Sequence, residues 1–234
     1  MNLISKYLPN VANSIPDFIQ ATWETLYMTI LTAIIGGIIG LIVGVLLVVT
    51  GPDGIAENRP FYNVLDKIVN LFRSIPFIVL LAVIAPFTRI VVGTAIGTTA
   101  AIVPLIIAVI PFYARQIQNA LLDVDYGIIE AAAAMGSSRL GIIFRVYLKE
   151  GLSQIIRSSV LTLISLIGLT AMAGTVGGGG LGNLAVMIGY ERFQNDVTFV
   201  SLILILILVF IIQIVGDILA KATDHENLAK RDEP

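Results

Sequence analysis

The chain has 234 residues, of which 57% are hydrophobic and 13% charged, and its mean hydropathy of +0.94 is too high for a soluble globular domain. A net charge of −2 without a basic stripe argues against nucleic acid as a partner. With no cysteine and a single histidine, His225 in a polar tail, the chain is expected to hold neither a metal nor a cofactor.

Membrane-spanning helices are predicted where about 20 largely apolar residues follow one another. Five segments qualify, at about residues 25–50, 68–86, 91–114, 158–176 and 197–216. The first is free of charge between Glu24 and Asp53, whereas the second contains Pro76, which removes one backbone hydrogen bond. The predicted fold class is all-α, a polytopic membrane protein with five transmembrane helices in a domain at 25–220.

The distribution of lysine and arginine predicts the orientation, because short cytoplasmic loops are enriched in both. With the amino terminus outside, the outer segments hold three of the 14 such residues, Lys6, Arg89 and Arg192. Residues 1–24 are then an extracellular segment, 121–150 a cytoplasmic loop and 221–234 a cytoplasmic polar tail. The protein is expected to be multi-pass in the plasma (inner) membrane.

Two patterns within the spans concern helix faces. Gly36, Gly40 and Gly44 repeat every fourth residue and predict a ridge that another helix can approach closely. A mildly polar face in the fourth span is formed by Ser158, Thr162, Ser165 and Met172. Either this face lines a pathway or its hydroxyls bond back to their own helix or to a neighbour. The pattern leaves both interpretations open.

The stretch EAAAAMGSSRL at 130–140 departs from the apolar pattern. Asp125 can cap a short Ala-rich helix that stops at Gly136, and Ser137 or Ser138 can cap a second helix. This predicts a sharply turned helix pair in which Glu130 is available for an arginine of a partner. A helix docked in a partner's groove and an Ala-rich helix packed on its own protein both fit the composition.

The same residues resemble the EAA signature of ABC importer permeases. The matching positions are Glu130, Ala131, Ala132, Gly136, Val146 and Leu148. Lys149 stands where the signature has proline, a departure that concerns the bend after the second helix. Further segments resemble the permease subunit of methionine importers: FRSIPFIVLL (72–81), PFTRIVVGTAIG (86–97), AAIVPL (100–105), TAMAGTVGGGGLGNLA (170–185), GYERF (189–193) and IIQIVGD (211–217).

This resemblance implies the ABC importer permease fold, with five spans per chain, a second copy of the chain, two ATP-binding subunits and an extracellular substrate-binding lipoprotein. It implies methionine, or a close analogue, as the substrate. It also implies that Glu130, Ala131, Ala132 and Gly136 couple the chain to the ATPase, and that Met172 closes the path near its outer mouth. No G-x-x-x-x-G-K-[ST] phosphate loop occurs in the sequence, so a partner chain is expected to hydrolyse ATP and this chain is not expected to be an enzyme.

Three other functions are alternatives to this interpretation. A permease for another small neutral amino acid or peptide differs little in sequence, because the binding protein selects the substrate. An ion-driven secondary transporter would usually show acids near the middle of its spans, and none is present there. An intramembrane protease needs a His–Ser pair or paired aspartates within spans, and the spans contain neither.

Overall fold

The structure is a computed structural model that describes residues 8–223, and every regular element in this range is helical. The α-helices of four or more residues are α1 (Pro9–Asn13), α2 (Ile15–Thr50), α3 (Arg59–Ser74), α4 (Phe77–Val92), α5 (Thr98–Leu122), α6 (Tyr126–Ala134), α7 (Arg139–Ile142), α8 (Leu152–Ala173), α9 (Gly180–Asn183) and α10 (Asn195–Ala222). The predicted all-α class is confirmed. Lys6, His225, Lys230 and Arg231, with most of the predicted tail at 221–234, lie outside the described residues.

Among the described residues, four helical segments are long and apolar enough to cross a membrane. They are Ile15–Thr50, Thr98–Leu122, Leu152–Gly178 and Asn195–Ala222. The pair α3 and α4 passes the same test when taken together and then counts as a fifth span, although its two helices are bent by 106°.

The helix boundaries differ from the predicted spans at identifiable residues. The predicted span at 68–86 crosses the bend between Ser74 and Phe77, because Pro76 has no N–H to continue α3 and disfavours a helical residue before it. The predicted span at 91–114 begins ahead of its helix, since Gly93 and Gly97 adopt positive φ and α5 starts at Thr98. Helix α2 starts at Ile15, within the segment expected to be extracellular at 1–24.

The chain divides into two compact units. One contains the described residues up to Ile35 together with Ile75–Ala108 and Leu163–Ile212. The other contains Gly36–Ser74, Val109–Thr162 and the described residues from Gln213 onward.

In the first unit, the amino-terminal helices pack on the region between α8 and α10. The buried cluster there consists of Val11, Phe18, Ala21, Leu181, Leu184 and Val197. The Asn10 N–H and side-chain amide donate to the Asp196 carboxylate, each over 2.9 Å. These polar contacts hold α1 beside the start of α10.

In the second unit, the glycine ridge of α2 packs against α5. Gly36, Gly40 and Gly44 are all buried. A Cβ atom added at Gly44 would lie 2.7 Å from both the Ala114 carbonyl oxygen and the Ile117 Cβ, so the two helices touch where the side chain is absent. The predicted close-packing ridge is confirmed.

A polar network joins α3 to α5 in the same unit. The Arg115 guanidinium donates to Asp66 over 2.6 Å and to Asn70 over 3.0 Å, and it also contacts the Gln118 side chain. Since Arg115 and Asp66 are largely buried, removing one partner would leave the other charge poorly solvated.

We predict that Gly44→Val destabilises the protein while Gly37→Val does not. A side chain at position 44 overlaps the α5 backbone, and overpacking of this kind costs about 2 kcal/mol. An added Cβ at Gly37, on the same helix, has nothing within 4 Å. Thermal unfolding in detergent, followed by the loss of the monodisperse peak, measures both variants. Equal unfolding temperatures would contradict the close packing.

Candidate functional site

The predicted site residues lie on two surfaces, the loop helix pair at 121–150 and one face of α8. Within residues 8–223, no group of three or more His, Asp or Glu side chains is arranged to hold a metal ion. The loop surface begins at Asp125, whose carboxylate accepts from the Gly127 N–H over 2.7 Å and caps α6. The predicted cap is confirmed, and it stabilises the start of the Ala-rich helix.

Gly136 ends this helix in the left-handed conformation, with φ +78°. The Ser137 N–H donates to the Ala132 carbonyl over 3.1 Å, and the Gly136 N–H donates to the Ala133 carbonyl over 3.0 Å. This pair of bonds is a Schellman motif. Ser138 then caps α7 by accepting from the Gly141 N–H over 3.1 Å. Both the predicted stop and the second cap are confirmed.

The helix α6 has one face on its own protein and one face open. Ile129 and Ala132 are buried, whereas Glu130, Ala131 and Gly136 are exposed. Of the four predicted coupling residues, three therefore lie on an available surface. Ala132 is buried and packs α6 against the rest of the chain.

Exposed apolar side chains surround the turn at Gly136, and the sequence interpretation missed them. Met135, Leu140 and Phe144 are all exposed. Beside them lies an open groove of about 470 Å³, lined by Ser137, Ser138, Leu140, Gly141, Phe144 and Arg145. The spacing of Leu140 and Phe144, four residues apart in an arginine-containing loop, was the available signal. We name Met135, Leu140 and Phe144 the apolar rim.

The second helix of the pair continues past α7 through a π-helical turn at Ile143–Tyr147 and ends at Glu150. Burial, and to a smaller extent the negative charge of Tyr126 when ionised, raises the pKa of the Tyr147 phenol. Lys149, which replaces the proline of the signature, is exposed. The break falls at Gly151, where an added Cβ would lie 2.7 Å from the Tyr147 carbonyl oxygen.

The four residues predicted to form a face of α8 differ in exposure. Met172 is 42% exposed and Thr162 is 6% exposed. The Thr162 hydroxyl donates to the Ser158 carbonyl over 2.8 Å, which is the back-bond of the alternative interpretation. Ser158 and Ser165 are half-buried. The structure thus brings Ser165 and Met172 toward one open face and turns Thr162 inward.

Leu161 and Gly168 lie on the same open face and were missed in the sequence. Both are exposed, and their spacing from Ser165 and Met172 is three or four residues, so the four positions form one stripe. An added Cβ at Gly168 has nothing within 4 Å. The structure shows recurrent exposure at helical spacing, whereas a mixture of Leu, Ser, Gly and Met carries no distinctive sequence pattern.

The glycine run after Met172 forms an ordered turn. Gly177, Gly179 and Gly180 have φ values of +90°, +76° and +76°, and α9 begins at Gly180. A Cβ atom added at Gly174 would lie 2.5 Å from the Asn183 backbone nitrogen, so the two sides of the turn touch. We name residues 174–190 the glycine hairpin. The backbone of this segment is therefore closely packed on itself.

Comparison with known proteins identifies similar chains. The family model described as binding-protein-dependent transport system inner membrane component matches residues 36–226. The chain is 47% identical to the probable D-methionine transport system permease protein MetI of Vibrio cholerae serotype O1, with 88% of this chain and 92% of that protein covered. It is 48% identical to the methionine import system permease protein MetP of Bacillus subtilis (strain 168), with 95% and 99% covered.

A solved structure agrees with these relatives. The native crystal form of the MetNI methionine ABC transporter in inward-facing conformations contains a chain with a TM-score of 0.87 and 43% sequence identity. The alignment covers 95% of this chain and 99% of that one.

The exposure pattern of α8 predicts a labelling contrast. In a chain without natural cysteine, Met172→Cys should react with a small maleimide at least about tenfold faster than Thr162→Cys, because a buried thiol reacts only after local opening. Ser165→Cys should react at an intermediate rate. Labelling in detergent, quantified by mass, measures the rates, and equal rates at all three positions would refute the inward orientation of Thr162.

Proposed function

The chain belongs to the family of binding-protein-dependent transport system inner membrane components, and on this basis we propose that it is the membrane-spanning subunit of an ATP-driven importer of methionine or a close analogue. The observation that carries the proposal is identity of 47–48% to relatives named for methionine transport over 88–95% of the chain. The likeness to the MetNI permease chain over nearly the whole length supports the same conclusion.

The proposed assembly contains two copies of this chain and two copies of an ATP-binding subunit. Like its relatives, the chain is a transport component and not an enzyme. Since its sequence lacks a phosphate loop, the free energy for uptake comes from ATP hydrolysis in the partner.

The coupling surface consists of Glu130, Ala131 and Gly136 together with the apolar rim. Exposed apolar side chains next to small residues fit a partner cleft, because such side chains lose contact with water when the cleft closes over them. Ala132 contributes from inside by packing α6 on its own chain. The capped, sharply turned pair is stiff enough to carry a displacement between the ATPase and the spans.

The transport path runs along the open face of α8. Ser165 and Met172 contribute to it directly, and Ser158 and Thr162 lie beside it on the same helix. The exposed faces of two copies can enclose the path between them. Met172 closes its outer end, because its flexible thioether stands one residue before the end of α8 and beside the glycine hairpin.

The proposed orientation places the amino terminus and the glycine hairpin outside and the loop at 121–150 in the cytoplasm. An extracellular substrate-binding lipoprotein then docks on the outer turns. A tight turn at 190–193 supports this contact: Phe193 has φ +57° and is 90% exposed, and Tyr190 is also exposed. Exposed aromatic side chains on a backbone of fixed geometry are frequent anchors of protein interfaces.

Reconstitution tests the proposed function. The chain, its ATP-binding subunit and its binding protein are placed in proteoliposomes, and uptake of radiolabelled methionine is measured with and without ATP. ATP-dependent uptake that unlabelled methionine suppresses is the expected result. Preferential suppression by another small neutral amino acid would favour the alternative substrate. Uptake driven by an ion gradient without the ATPase would favour a secondary transporter.

We predict that Gly136→Arg abolishes coupling while Gly93→Arg does not. Arginine at 136 is strained by the positive φ and adds a bulky cation to the contact surface, so uptake should fall at least about tenfold, as for central interface residues. Gly93 is the matched control: it is exposed, has φ +85°, and an added Cβ there also meets nothing within 4 Å. Both variants therefore place arginine at a positive φ.

Uptake and ATP hydrolysis are measured in parallel for both variants in complexes that still assemble. Glu130→Ala should lower uptake by about fivefold or less, because an exposed ion pair contributes little. Normal uptake by Gly136→Arg would show that the segment is a loop without a coupling role.

A further inference from the structure

Two neighbouring residues of α2 hold the start of α9. The Glu24 carboxylate oxygen Oε2 accepts from the Gly180 N–H over 2.7 Å. The Thr25 hydroxyl oxygen accepts from the Leu181 N–H over 2.9 Å. Each contact joins residues that are 156 positions apart in the chain. Two successive N–H groups of the glycine hairpin therefore have their acceptors on another helix.

These N–H groups need an external partner because the first N–H groups of a helix have no acceptor within it. A side chain at the residue before the helix usually provides one, but that residue is Gly179. A Cβ atom at Gly179 would lie 2.6 Å from Glu24 Oε2, so the absence of a side chain leaves room for the carboxylate. Glu24 and Thr25, which are far from α9 in the sequence, thus cap the start of α9.

Each of the two acceptor side chains makes a second hydrogen bond. Thr25 is buried, and its hydroxyl also donates to the Ala21 carbonyl over 3.0 Å. The second oxygen of Glu24 accepts from the Gln20 side chain over 2.8 Å. A carboxylate also interacts favourably with the positive end of a helix. Gly180 and Leu181 are buried, so unpaired N–H groups there would be costly.

The segment that Glu24 and Thr25 hold, α9, packs against the residues around Met172, which lie at the end of the proposed path. Gly174, two residues after Met172, packs against the backbone of Asn183, and Gly182 is in contact with the backbone of Ala171. A shift of α9 must therefore move the residues on either side of Met172. Because these contacts are backbone to backbone, α9 can move very little relative to Met172.

We infer that Glu24 is a positioning residue for transport: by holding Gly180 it fixes the glycine hairpin and thereby sets how tightly Met172 closes the outer end of the path. This inference rests on the proposed function, in which Met172 closes the path. Thr25 fixes the same hairpin at the next residue. Glu24 is the residue to change, because its side chain is less buried and reaches Gly180 from the surface of α2.

The test uses the full complex with its ATP-binding subunit and compares Glu24→Ala, Glu24→Gln and Gln20→Ala. In Glu24→Ala, hydrogen–deuterium exchange in peptides covering 174–190 should accelerate about tenfold, because a hydrogen bond to a charged acceptor is lost. Methionine uptake per ATP hydrolysed should fall about fivefold, since a loosely held outer end leaks. Glu24→Gln retains an acceptor oxygen and should recover most of both effects.

Gln20→Ala is the matched control, since it removes the other partner of the Glu24 carboxylate one turn earlier on the same helix. Its exchange and its uptake per ATP should stay within twofold of the wild type. Unchanged exchange in both Glu24 variants would overturn the contact. Faster exchange with unchanged uptake per ATP would overturn the positioning role.

The test distinguishes a failure of the proposed function from a failure of the inference about Glu24. If the wild-type complex takes up no methionine with ATP, the proposed function fails, and the exchange comparison still decides whether Glu24 holds the hairpin. If Glu24→Ala does not assemble, Glu24→Gln and Thr25→Val are compared in its place, and equal exchange in all three chains, wild type included, overturns the contact.

Discussion

The backbone of a membrane-embedded chain has no water to bond with, so each N–H and C=O group needs a partner within the protein. Long uninterrupted helices satisfy this requirement by themselves, as in α2 and α10. Every interruption needs a substitute partner. Where the chain turns after α8, the Gly97 N–H donates to the Gly177 carbonyl over 2.9 Å, and Glu24 accepts from Gly180. The irregular part of the fold is therefore held by partners that lie far away along the chain.

Close packing and polar contacts together hold the helices against one another. The hydrophobic effect does not drive helices together in lipid, so association depends on van der Waals contact and on hydrogen bonds. The glycine ridge of α2 provides the first, because Gly44 allows the α5 backbone to approach. The Arg115–Asp66 pair provides the second by holding α3, which is too short and too polar to span a membrane alone. Both contacts lie in one compact unit.

The sequence predicted local features well and distant ones poorly. Asp125, Gly136 and Ser138 were predicted because caps and left-handed stops depend on residues within a few positions. The sequence did not predict the bend at Pro76 or the late start of α5, because an apolar stretch reads as continuous even where the helix is interrupted. The Glu24 contact and the inward turn of Thr162 depend on partners or packing set by the tertiary fold, so the sequence pattern contains no signal for them.

Two turns, the one at Gly136 and the glycine hairpin, use the same device with different consequences. Each has glycine with positive φ followed by a short helix whose first N–H groups are capped by oxygen. At the Gly136 turn the cap is Ser138, within the same loop, so this cap does not depend on another helix. In the glycine hairpin the acceptors belong to α2, so these contacts persist only while α2 stays in register with the hairpin. A cap within its own loop stiffens that loop, whereas a cap supplied by another helix makes the turn depend on the position of that helix.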